Sequence, residues 1–128
     1  MPVTDRVIIA IAAVYGFLAV GLGAFGAHYL KSRISEKMLN VYQTGVQYQF
    51  YHALALLMLG VLLHKEGGLS PVYLGRSAYL FTAGVLLFSG SLYILALGGP
   101  RWLGPVTPLG GVCLLLAWAT LLFAALQK

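Results

Sequence analysis

Four stretches of this chain stay almost free of charge for as long as a helix needs to cross a bilayer, and that property decides where it can fold. They run near residues 7–30, 42–63, 76–97 and 109–126. A hydrocarbon core of ~30 Å takes about 20 residues of helix. In lipid only helices and closed barrels satisfy their own backbone groups. With 60% hydrophobic and 9% charged residues and a mean hydropathy of +0.89, the composition excludes an ordinary soluble domain. The first stretch exceeds the ~7–15-residue core of a secretory signal, so it is read as a retained transmembrane helix. The predicted fold is all-α: one integral membrane domain over residues 1–128, a four-helix up-and-down bundle with both termini on one side.

The segments between the stretches carry turn chemistry. Lys31 to Asn40 is polar, Lys65-Glu66-Gly67-Gly68 precedes Ser70-Pro71, and Gly98-Gly99-Pro100 leads into Pro105 and Pro108. Within 32–41, Ile34, Met38 and Val41 oppose Arg33, Glu36 and Lys37, which predicts an interfacial helix or an extension of the second span. Thr107 is placed to cap the last helix and Pro108 to open it, while Trp102 suits the aromatic belt at the membrane surface.

The formal charge of +5 resides almost wholly in these connections. Such charges meet lipid headgroups, and no interleaving of basic and aromatic residues points to nucleic acid. Arg6, Lys65, Arg76 and Lys128 on the terminal side balance Lys31, Arg33, Lys37 and Arg101 on the other, so the positive-inside rule assigns no orientation. Cys113 is the single cysteine, which leaves neither a disulfide framework nor a cysteine metal site.

Small residues recur at heptad-like spacing: Ala12, Gly16, Ala19, Gly23 and Gly26 in the first span, Ser77, Gly84 and Ser91 in the third, Cys113, Ala117, Thr120 and Ala124 in the fourth. No hydrophobic force draws helices together inside lipid, so stripes like these let backbones approach and gain dispersion contacts. They predict tight packing within the bundle, with contacts between copies as the alternative.

The second span holds the polar anomaly. Gln43, Gln47 and Tyr51 follow one another at i, i+4, as do Thr44, Tyr48 and His52, so the two rows form one wedge. A polar stripe in a membrane has to find a partner, a water file or a ligand. His28, near the end of the first span, is expected on the same membrane side as the start of the wedge. A His28–His52 pair would suit a proton relay, a haem b or a quinone headgroup, and the alternative is a hydrogen-bond network that fixes helix register. By helical rise His28 lies ~3 Å and His52 ~15 Å from their helix ends, an offset that disfavours one haem iron between them. No cofactor is the expectation, with haem b or quinone as the lesser alternative.

The third span adds Ser89, Ser91 and Tyr93 within Phe88-Ser89-Gly90-Ser91-Leu92-Tyr93, candidates for lining a cavity or for bending and close packing. His64 reads as an interfacial residue. Asp5, Glu36 and Glu66 are the only acids and lie outside the apolar stretches. No catalytic set is visible, so an enzyme is not expected.

Taken in order, Gly23-Ala24-Phe25-Gly26-Ala27-His28, Gln43-Thr44-Gly45 with Tyr48-Gln49 and His52-Ala53-Leu54, Leu87-Phe88-Ser89-Gly90-Ser91-Leu92-Tyr93, and Val106-Thr107-Pro108-Leu109-Gly110-Gly111 resemble the domain of unknown function 423 family. The resemblance covers nearly the whole chain. It implies four spans in a bacterial inner membrane and relates the chain to eukaryotic transmembrane protein 256, but it carries no activity, substrate or cofactor onto His28 or His52. The reading from sequence is thus a non-enzymatic membrane protein working as a homo-oligomer or as an accessory subunit of a larger membrane complex. A small transport-class or lipid- or quinone-binding protein, with its site around His28 and His52, is the alternative.

Overall fold

In the computed structural model, which describes residues 4–65 and 67–127, four helices follow the apolar stretches: α1 Asp5–His28, α2 Glu36–His64, α3 Pro71–Ala96 and α4 Val106–Leu126. Each is long and apolar enough to cross a membrane. Glu66 and Lys128, both counted in the charge pattern, lie outside the described residues.

Local chemistry sets the helix ends. The Thr4 hydroxyl accepts the Val7 amide at 3.2 Å and Ser35 accepts the Met38 amide at 3.1 Å, so α1 and α2 open on side-chain caps. The amphipathic residues from Glu36 to Val41 run into α2 without a break. α3 opens with Pro71 in its first turn, well before Arg76, because proline suits a position where no amide donor is needed. Its far end turns at Gly98, whose φ of 92° is open to glycine without strain. α4 starts ahead of the expected proline, at Val106, and has no side-chain cap. The Thr107 hydroxyl faces Ser91 on α3 at 2.5 Å instead of the helix terminus.

Neighbours pack antiparallel, each helix against the next in the chain: α1 on α2, α2 on α3 and α3 on α4, with no comparable seam joining α4 to α1. The seams close where a side chain is missing. A Cβ on Gly60 would lie 2.5 Å from Ile9 and one on Gly26 2.6 Å from Tyr42, both across the α1–α2 seam. At the α3–α4 seam a Cβ on Gly110 would lie 2.3 Å from the backbone nitrogen of Phe88; only glycine lets the two backbones meet this closely. Of the small residues marked from sequence, Ala12, Ala19 and Gly26 on α1, Ser77, Gly84 and Ser91 on α3, and Ala117 and Ala124 on α4 are buried. Gly16 has open space around it. Phe81, Ile8, Leu56, Leu59 and Leu74 fill the core without exposure, while Phe17 and Leu115, at 79% and 70% exposed, belong to an apolar perimeter.

A polar network between the spans and an outward polar row

The centre of the polar chemistry is Gln49, a residue that belongs to neither of the two predicted rows. It is 4% exposed. Its Nε2 donates to the Tyr15 carbonyl of α1 at 2.8 Å, and its Oε1 accepts the Tyr93 hydroxyl of α3 at 2.6 Å. One amide therefore ties three helices together.

Around it the same device recurs: a hydroxyl donates to a backbone carbonyl of another helix. Tyr15 reaches Thr82 at 2.8 Å, Tyr42 reaches Leu22 at 2.6 Å, Ser89 reaches Gly45 at 2.7 Å and Ser77 reaches Ala117 at 2.8 Å. A helical carbonyl has two lone pairs and spends one on its own helix. The second is free for a donor that comes close enough, which the small residues allow. No buried side-chain polar atom among the described residues lacks a partner.

His52 joins this network from α2. Its Nδ1 lies 2.7 Å from the Tyr48 carbonyl and its Nε2 3.1 Å from Trp118 Nε1 on α4. A carbonyl can only accept and an indole N–H can only donate. The ring is thus the neutral tautomer with its proton on Nδ1, and both nitrogens are engaged. Its faces meet Phe81 and Tyr48 at ring-centre distances of 5.5 and 5.9 Å.

The structure separates the wedge that sequence grouped together. His52 points inward. Tyr48, 39% exposed, stands at the rim against Phe88 at 4.6 Å, and Thr44 bonds its own helix through the Asn40 carbonyl at 2.9 Å. Gln43, Gln47 and Tyr51 face outward from α2, exposed, and neither glutamine amide meets a hydrogen-bond partner among the described residues. His28 ends α1, exposed, and does not approach His52. Since Gly26 abuts Tyr42, His52 lies about 15 Å of helical rise deeper than that end of the bundle. The third-span residues all meet protein: Ser89 at Gly45, Ser91 at Thr107 and the Phe88 carbonyl, Tyr93 at Gln49.

Two further features frame the network. Beside His52, Tyr48, Phe88, Pro108, Val112 and Trp118 line an apolar groove of about 450 Å³ between α2 and α4. At the end of the bundle near the termini, His64 and Asp5 approach to 2.5 Å and join the last turn of α2 to the first of α1.

Gln49, Tyr15 and Trp118 escaped the sequence reading. The signal that marks Gln49 is the run of small residues on α2, Gly45, Ala53 and Gly60, which are all buried. Gln49 lies midway between the first two on the same face.

Residues 22–111 match a family described as protein of unknown function (DUF423). The chain is 46% identical over 122 residues to the UPF0382 membrane protein YwdK of Bacillus subtilis, covering 95% of this chain and 98% of that one. It is 40% identical over 124 residues to the UPF0382 inner membrane protein YgdD of Escherichia coli K12, covering 97% and 92%. It is also 40% identical over 122 residues to the UPF0382 membrane protein SAB0533 of Staphylococcus aureus, covering 95% and 97%. No solved structure matches the chain significantly.

Proposed function

Because the chain belongs to the DUF423 family, whose relatives here are membrane proteins, we propose a function exerted through helix packing: a non-enzymatic membrane protein that works as a homo-oligomer or as an accessory subunit of a larger membrane complex. The observation that carries this reading is the way hydrogen-bonding capacity is distributed. Inside the bundle Gln49, His52, Ser77, Ser89 and Ser91 close on protein, so the interior network holds the helices in register. Outside it, the amides of Gln43 and Gln47 lie exposed on a perimeter otherwise suited to lipid, with no hydrogen-bond partner among the described residues. A polar group at such a place calls for another protein surface.

The native mass of the protein extracted in mild detergent tests this. A mass above that of the 13.7 kDa chain, or a second protein held in fixed ratio, is expected; a lone monomer that co-purifies with nothing would sink the proposal.

One observation favours a second reading, a lipid- or quinone-binding protein. The groove beside His52 is walled by the aromatic rings of Tyr48, Phe88 and Trp118, a surface that would receive an acyl or isoprenoid chain. Mass spectrometry of the purified protein checks it: a stoichiometric small molecule lost in a Val112→Trp variant supports this reading, and an empty groove counts against it.

A further inference from the structure

The outward row on α2 is continuous. Gln43, Gln47, Tyr51, Leu54 and Met58 follow at i, i+4 or i+3 spacing and all are exposed, the last three by 56%, 49% and 58%. The row also runs deep. Val46, one residue before Gln47, packs on Gly23 across the α1–α2 seam, where a Cβ on that glycine would lie 3.4 Å from it, and Gly23 stands five residues before the end of Asp5–His28. Gln47 therefore lies about 9 Å of rise inside that end of α1, within the hydrocarbon core.

We propose that this row is the contact of a homodimer, in which a second copy of the chain, in the same orientation, packs its α2 against this one about a two-fold axis along the membrane normal. The proposal rests on the helix-packing function above and deepens it by naming the partner and the face. Three features select a second copy. An amide carries both a donor and an acceptor, so two glutamines satisfy each other reciprocally. A two-fold along the normal sets each residue at the depth of its own counterpart, so Gln47 meets a matching amide inside the membrane without further adjustment. Beyond the amides the row turns apolar and borders a hollow of about 280 Å³ between α2 and α4, edged by Tyr51, Met58 and Trp118, which can take a bulky side chain of the neighbouring α2.

Cross-linking in native membranes tests the face. In a Cys113→Ala background, single cysteines at Gln43, Gln47 and Met58 are compared with cysteines at Phe17 on α1 and Leu122 on α4, both on the exposed perimeter. Dimers of twice the 13.7 kDa chain are expected from the α2 positions and not from the other two. Gln47→Leu, whose folding is checked by circular dichroism, is expected to weaken the dimer about tenfold on dilution in micelles. Equal cross-linking at Phe17 or Leu122, or a Gln47→Leu dimer as tight as that of the unmodified chain, overturns the proposal. The native mass separates the two ideas: an assembly that cross-links elsewhere, or one built with a different protein, overturns this interface and leaves the packing function standing, whereas a lone monomer overturns both.

Discussion

Replacing Gln49 by leucine removes the amide that joins three helices while keeping a side chain of similar size. Two bonds are lost, one at 2.8 Å to the Tyr15 carbonyl and one at 2.6 Å from the Tyr93 hydroxyl. Their consequences differ. The carbonyl keeps its bond within α1, so it loses only a second partner, whereas the hydroxyl is left with none. Hydrogen bonds between membrane helices average ~0.6 kcal/mol and reach ~1.7 kcal/mol, and an orphaned buried group adds about 1–3 kcal/mol. A loss of about 2 kcal/mol is expected. The assay is unfolding in mixed micelles titrated with SDS, followed by circular dichroism and by fluorescence of Trp102 and Trp118. Tyr93→Phe completes the cycle: removing the hydroxyl together with the amide leaves nothing orphaned, so the double variant should cost about 1 kcal/mol less than the sum of the single ones. Additivity within ~0.5 kcal/mol would show that the two groups are not bonded and refute the network. As an internal control, Gln47→Leu, two residues away on the outward side of α2, should alter the stability of the monomer by less than ~0.5 kcal/mol.

Glycine substitutions separate the seams from open space. Gly110→Ala drives a Cβ into the backbone of Phe88 and should cost about 2–3 kcal/mol as α3 and α4 part, while Gly16→Ala meets nothing within 4 Å and should gain up to ~1 kcal/mol of helix propensity; the same titration reads both, and equal effects would contradict the packing described. Trp118→Phe keeps an aromatic ring against Phe81 but leaves His52 Nε2 without its donor, for an expected cost of about 1–2 kcal/mol. Adding His52→Leu to it should recover part of that loss, and no recovery would mean that the indole and the imidazole are not partners.

Hydropathy alone revealed the four helices and their up-and-down order, because few structures hide that much apolar length. The inward face of each helix was harder to read. In water the polar side of a helix betrays its exposed face, but in lipid both sides are apolar and the contrast vanishes. On α2 the visible contrast was misleading: the long row of Gln43, Gln47 and Tyr51 drew attention, yet the buried face is marked by Gly45, Ala53 and Gly60 with a single amide between them. The glycine and alanine pattern on α1, α3 and α4 was informative for the same reason, since small residues show where helices touch. Thr107 illustrates a different limit. Its position before a proline suggests a cap, but its hydroxyl is drawn across to Ser91 by a neighbour that local sequence does not reveal.

The open order of the seams has a consequence for how the molecule is made. Every principal seam joins helices that are consecutive in the chain, so each can form as soon as its second helix leaves the insertion machinery, and none has to wait for a distant segment to close a ring. The amide of Gln49 already has both its partners, Tyr15 and Tyr93, once α3 is in the membrane. The last helix then arrives at a prepared surface, adding the bonds of Ser77, Thr107 and Trp118. A nascent chain halted after α3 would therefore hold its three helices together, and the fourth would lock a register already chosen.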